Sequence, residues 1–170
     1  MKYNYLNQII PQEKRKDLNK KVLTLIRTNQ CEKYSISKED IYNAYTGEGG
    51  LHGLRYNDYA NYHDYSNAKK EIENGQFFTP HVLSKFIIDC LNLKNDDIIA
   101  DLTCGMGAFF NFIPTESNAY GCEIDRNAFD VAKFLYPNAN ITCGDLRNYK
   151  PNIRFDYVVG NERDTLRLTA

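Results

Sequence analysis

Three acidic residues stand where apolar, strand-like runs end. Asp101 closes Ile98-Ile99-Ala100, Glu123 closes the run that starts at Ala119, and Asp145 follows the run that ends at Cys143. The first acid leads into Cys104-Gly105-Met106-Gly107, where Gly105 and Gly107 let a backbone approach a ligand without side-chain clash. An ionised carboxylate only accepts hydrogen bonds. After the second strand it suits the vicinal hydroxyls of a ribose, and after the third it suits the exocyclic amine of adenine. Asp101 beside the loop suits an amino group or a sulfonium and would repel a pyrophosphate. The loop lacks the third glycine of GxGxxG and the GK[ST] of a P-loop, so NAD and ATP fit less well than an adenosyl cofactor with a cationic tail. The separation from Asp101 to Glu123 is close to the roughly 20 residues expected between a glycine loop and a ribose-binding acid. A lone GxG or a lone strand-end Asp is more often a turn or a cap, and Asp125 reads as a helix cap. Three acids at successive strand ends, with glycines in the first loop, point instead to a bound nucleotide.

The elements that must position these groups follow from periodicity. Residues 1–30 read as helical, with Leu18, Val22, Leu25 and Ile26 at helical spacing. Lys14, Arg15, Lys16, Lys20, Lys21 and Arg27 make this segment basic. A solvated helix face is the preferred reading over a phosphate-binding surface. Ser37 and Asp40 predict a capping-box-like helix start. Tyr45 to Leu51 is a glycine-dense loop, and tyrosines continue to Tyr65 at spacings too close for one helix face. Packing is their expected use, with base stacking or a small lid as alternatives. Thr79 predicts an N-cap with Pro80 at the first helical position, followed by the stripe Val82, Leu83, Phe86, Ile87, Cys90 and Leu91. The pattern then alternates: a strand over 98–101, a loop opening a helix near Phe110, a strand over 119–124, a helix over 126–135, and strands over 139–143 and 155–160. Alternation of this kind predicts an α/β fold with a parallel sheet and crossover helices.

Composition bounds the rest. The chain has 170 residues, 42% hydrophobic and 25% charged, enough for one packed domain. A net charge of −1 neither requires nor excludes a nucleic-acid partner. The five cysteines form no CxxC pair, which argues against a zinc site or a disulfide framework and for a reducing compartment. No apolar run approaches the roughly 20 residues of a membrane span, and the N-terminus lacks a signal-peptide core. The expectation is a soluble cytoplasmic protein with no metal and no membrane partner.

With these residues in view, the sequence resembles the class I S-adenosylmethionine-dependent methyltransferases, specifically the adenine-N6 DNA methyltransferases of restriction-modification type. Asp101 to Phe110 resembles their DPxCGSGxFL cofactor loop, Gly121 to Asp125 their GxEID segment, and Gly144-Asp145 their adenine-contacting acidic motif. Gly75 to Pro80 resembles the GQFFTP motif that borders the methionine end of the cofactor. Tyr45 to Leu51 is similar, more weakly, to a YTGWGGL-like segment of large methylase-helicase proteins. The resemblance implies S-adenosylmethionine as cofactor, held by Phe77, Thr79, Asp101, Thr103, Gly105, Gly107, Phe109, Glu123, Ile124, Asp145 and Leu146. It also implies DNA as partner and a Rossmann-like methyltransferase sheet. Residues 1–74 would form a helical, loop-rich N-terminal region and 75–170 a partial cofactor-binding domain.

One motif departs from that family. Its [DNS]PP[YFW] motif holds the target amine and stacks on the flipped base. Here Asn161 keeps the first, catalytic position, but Glu162-Arg163-Asp164 follows where two prolines and an aromatic belong. The family sheet has seven strands and four are visible, which predicts truncation after the fourth. Its exposed edge would then be covered by a second copy or a partner chain. Two functions remain open: an adenine-N6 DNA methyltransferase or its cofactor-binding fragment, and an inactive cofactor-binding regulatory subunit. An NAD-dependent oxidoreductase is disfavoured by the incomplete glycine fingerprint.

Overall fold

The computed structural model describes residues 1–3, 12–46, 56–73 and 78–161. Helices α1 (Gln12–Arg27) and α2 (Lys38–Ala44) form the N-terminal region. In α1, Val22 is buried and Leu18, Leu25 and Ile26 pack beside it, as their spacing requires. Lys14, Lys16, Lys20, Lys21 and Arg27 are exposed. Arg15 differs: it is buried, and its guanidinium donates to the hydroxyl and carbonyl of Thr46 at 3.3 and 3.4 Å. α2 opens with the expected capping box, Ser37 Oγ accepting from Asp40 N and the Asp40 carboxylate accepting from Ser37 N.

The tyrosine-rich stretch ends in a helix that its spacing did not announce, α3 (Tyr62–Glu73). Tyr56, Tyr59, Tyr62 and Tyr65 pack on one another, with ring centroids 5.7 to 6.4 Å apart. Next comes α4 (His81–Leu91). The expected Thr79 cap is corrected here. Pro80 itself occupies the N-cap position without a side-chain cap bond, and its carbonyl accepts from Ser84 N at 2.9 Å.

Four strands make one sheet: β1 (Ile99–Asp101), β2 (Ala119–Glu123), β3 (Asn140–Cys143) and β4 (Tyr157–Val159). All three pairings are parallel and the order is β3-β2-β1-β4, so the fold is α/β and Rossmann-like. Each strand falls where the alternation placed it, one to three residues shorter. Helix α5 (Arg126–Leu135) links β2 to β3 and is capped by Asp125, whose carboxylate accepts from Ala128 N at 2.7 Å. Its buried Ala128, Val131, Ala132 and Leu135 join Ile99, Ala119 and Val159 in the core, on the face where α1 and α2 also pack.

The expected helix after the glycine loop is replaced by a single 3₁₀ turn, Phe109–Asn111. Pro114 explains why: it lacks an N–H and biases Ile113 away from helical geometry, leaving too few residues for a stable α-helix. The N-terminus docks on that turn. Buried Asn111 accepts from Lys2 N and Tyr3 N at 2.8 Å each and donates to Tyr3 O at 3.1 Å. Tyr3 then reaches the carbonyl of Leu135 at the end of α5. Asn111→Ala is expected to cost about 2–4 kcal/mol in urea denaturation, since it strands buried backbone groups as well as removing bonds. Deleting residues 1–3 in that background should cost further stability, because Tyr3 also bonds the Leu135 carbonyl and packs on Tyr136, but less than in the parent chain, and a double-mutant cycle reads that difference.

Candidate cofactor site

Parallel pairing brings all four strand C-termini to one edge. Asp101 is in register with Gly121 on one side and Val159 on the other, and Glu123 with Cys143. The order reverses at β1, and in open α/β sheets the ligand crevice lies at such a reversal. The loops after β1, β2, β3 and β4 therefore carry Gly105, Ile124, Asp145 and Asn161 to a common rim.

The glycine loop is a tight turn. Cys104 N donates to Cys122 O at 3.0 Å and Gly107 N to Cys104 O at 2.7 Å. Both glycines have positive φ, +54° at Gly105 and +86° at Gly107, which non-glycine residues adopt at a cost. Their surroundings differ. A Cβ on Gly107 would stand 2.7 Å from the Tyr136 ring, so this glycine serves core packing. A Cβ on Gly105 would stand 3.1 Å from the Phe78 ring, at the loop's outer side. Gly121 is glycine for a further packing reason: a Cβ there would meet the Cys104 sulfur and the Phe110 ring at 2.9 Å. Burial, reinforced by Asp101 and Glu123, pushes the Cys104 thiol well above its ordinary range, so it packs as a neutral thiol.

Glu123 ties the loop to the sheet. One carboxylate oxygen accepts from Gly105 N and the other from Asp125 N, both at 2.7 Å. Burial raises its pKa above the ordinary glutamate value, and hydrogen bonds from the Asp125, Gly105 and Ile124 amides pull the other way. Asp101 is buried at the end of β1, where its carboxylate accepts from Thr103 N at 3.2 Å. Asp145 accepts from Arg147 N at 2.9 Å and pairs with the Arg147 guanidinium, which holds its carboxyl down at about 2. Two apolar side chains follow the outer acids. Ile124 is 72% exposed next to Glu123, and Leu146 is exposed next to Asp145. A flat ring can be clasped between such side chains while the acids accept from its edge.

The other sequence-derived positions divide. Thr103 is exposed in the loop, Thr79 is half-buried before α4, and Asn161 is exposed two residues past Val159. Phe109 is buried in the hydrophobic core. Phe77 lies outside the described residues. Sequence reasoning missed Phe78, whose ring covers Gly105; the Phe77-Phe78 doublet was its signal. It also missed the anchoring of Tyr45 and Thr46. Tyr45 is buried, its ring 6.0 Å from that of Phe78, and Thr46 N donates to Asn19 Oδ1 at 2.9 Å. Among the described residues no cluster of His, Cys, Asp and Glu could hold a metal. No described helix is long and apolar enough to cross a membrane.

A family model, N-6 DNA Methylase, matches residues 59–161, more than half of the chain. The chain belongs to the N-6 DNA methylase family. The matched span covers the glycine loop, all three acids and Asn161. A methyltransferase-like protein, 235L of Invertebrate iridescent virus 6, is 27% identical over 82 residues. The match takes in 46% of this chain and 31% of that protein, so the chain spans about a third of the relative. Two solved structures are similar, each with a TM-score of 0.41. A TehB-like SAM-dependent methyltransferase from Corynebacterium glutamicum is 20% identical, with 59% of this chain and 54% of that one covered. A modification subunit assigned to a type I restriction enzyme of Vibrio vulnificus is 15% identical, with 65% and 30% covered.

The raised pKa of Glu123 has a sign that can be read in ligand binding. A neutral carboxyl accepts more weakly and must place a proton, so affinity for a ribose-bearing ligand should fall on acidification. The fall should begin above the ordinary glutamate range, because burial raises this group. Isothermal titration from neutral to mildly acidic pH should show it. Glu123→Gln should be weaker throughout and flat in that window.

Proposed function

We propose that this chain binds S-adenosylmethionine at the rim of β1, β2 and β3, as the cofactor half of an adenine-N6 DNA methyltransferase. One observation carries the reading: Glu123 is held at the end of β2 against the glycine loop, with exposed Ile124 beside it. Its two oxygens accept from Gly105 N and Asp125 N, with the Ile124 amide also hydrogen-bonding, and the roughly four acceptor sites of a carboxylate leave room for a ribose hydroxyl. Asp101, buried beside the loop, offers negative charge to the cofactor's cationic end. Asp145 offers an acceptor to the adenine amine, with Ile124 and Leu146 against the ring. Bound there, the cofactor supplies a methyl group activated on a sulfonium.

For the target, the chain offers Asn161 beyond β4, at the crevice next to Asp101. Its side chain can accept from an exocyclic amine, and holding that amine in line is the catalytic task. Glu162-Arg163-Asp164 then replaces the proline-aromatic sequence that would rigidify and stack the base. That sequence supports a second reading, a cofactor-binding regulatory subunit without transfer activity of its own. The proposal also includes a cover for the outer edge of β4, where Val158 is 58% exposed: a second copy or a partner chain. Light scattering should then show an assembly, or pull-down a bound polypeptide; a monomer at high concentration with nothing recovered would sink it.

Titration with S-adenosylmethionine should show binding that Glu123→Ala weakens at least tenfold, the loss of a charge-assisted hydrogen-bonding pair. Absence of binding, or unchanged binding in the variant, would falsify the site assignment. Tritium transfer from the cofactor to adenine-containing DNA separates the two readings. We expect weak or no transfer by this chain alone.

A further inference from the structure

The carboxylate assigned to the adenine amine is already engaged. Arg147 approaches Asp145 with three donors: its backbone N at 2.9 Å, Nε at 3.1 and 3.0 Å from the two oxygens, and Nη2 at 2.5 Å. The short turn Leu146–Asn148 makes this geometry local, since Asp145 caps the turn and Arg147 sits inside it. The pair lies at the surface, with 85% of the arginine side chain and 28% of the aspartate side chain exposed. Exposed pairs of this kind are weak and break readily. The arginine is therefore placed to cover the carboxylate and free to leave it.

We propose that Arg147 competes with the purine's C6 substituent for Asp145, and so sets which purine the site prefers. This rests on the reading of the rim as an adenosyl site. Hydrogen-bond polarity decides the competition. A guanidinium only donates, and so does the C6 amine of adenine towards Asp145. Both need the same two oxygens, so an adenosyl ligand must displace the guanidinium from part of the carboxylate. A 6-oxo purine presents an acceptor instead. Its C6 oxygen is repelled by Asp145 but can accept from Arg147 as it stands, and its one donor on that edge lies at N1, not at C6. Arg147 thus weakens the preference for adenine that Asp145 alone would impose. Leu146, between the two, contacts the ring face and is indifferent to the substituent.

The test uses the full chain, with S-adenosylhomocysteine and its 6-oxo counterpart S-inosylhomocysteine as probes in isothermal titration. At low salt, Arg147→Ala should bind the adenosyl probe on the order of threefold tighter than the parent chain, the scale of an exposed ion pair. It should bind the inosyl probe more weakly. Raising salt to ~0.5 M should tighten adenosyl binding by the parent chain and close the gap to the variant, because the pair is screened. A residue that merely shapes the turn would move both probes in the same direction and show no such salt response. Weaker adenosyl binding by Arg147→Ala would mean that the arginine prepares the carboxylate, and would overturn the proposal. So would unchanged binding of both probes. If neither chain binds the adenosyl probe, the adenosyl-site reading fails and the inference with it. If the parent binds, Glu123→Ala abolishes binding and Arg147→Ala changes nothing, the site stands and only the role of Arg147 falls.

Discussion

The carboxylate of Glu123 fixes the relation between the glycine loop and the sheet. A loop with two positive-φ glycines has no regular hydrogen-bonding partner, so its amides need acceptors from elsewhere. Gly105 N finds one oxygen of Glu123, and the other oxygen takes Asp125 N as the chain turns into α5. One side chain thereby sets the loop after β1 against the end of β2. The cost is a half-buried charge, seen in its raised pKa. On the proposed reading the same charge is the acceptor for a ribose hydroxyl, so substituting it would disturb the loop and the binding together.

Around that link, close packing constrains the other small residues. Gly107 yields to Tyr136, and Gly121 yields to Cys104 and Phe110. Tyr136 is held in turn by Tyr3, whose ring lies 5.7 Å away and whose backbone is pinned to Asn111. The extreme N-terminus thus supports the underside of the glycine loop through the Phe109–Asn111 turn. Arg15 and Asn19 do the same for Tyr45-Thr46, which stands beside Phe78 over Gly105. The N-terminal region is built into the loop's support.

Much of this was legible in sequence, and the physical reasons separate what was from what was not. The alternation of apolar runs with an amphipathic stretch placed all four strands and α5. Ser37, Asp40 and Asp125 announced their caps because capping is a local event of three or four residues. The three acids and the first loop were readable for the same reason: strand end and loop are contiguous in the chain. Failures came where long-range packing or proline decided. Pro80 displaced Thr79 from the cap, and Pro114 removed a helix that the strand-loop pattern implied. Arg15 looked like one more solvated cation in a basic helix, but its partner, Thr46, is 31 residues away. The packing of Gly107 against a ring 29 positions downstream in the chain was likewise not readable beside its role in the loop. Nothing in a window of the sequence reports such contacts.

The two halves of the chemistry stand on different supports. The proposed cofactor side rests on groups that hold one another: Glu123 on Gly105, Asp101 on Thr103, Asp145 on its own turn. Their geometry is fixed by the sheet register before any ligand is present. Among the described residues the proposed target side offers Asn161, exposed one residue past the last glycine of the β4 run. A donor-acceptor amide can recognise an exocyclic amine, but recognition becomes catalysis only when its position is held to within about half an ångström. In the related family motif two prolines provide that stiffness through their locked φ. Glu162 and Arg163 carry no such restriction on φ. The residue types on the two sides of the crevice thus differ, and on the proposed reading they favour binding of the methyl donor over its use.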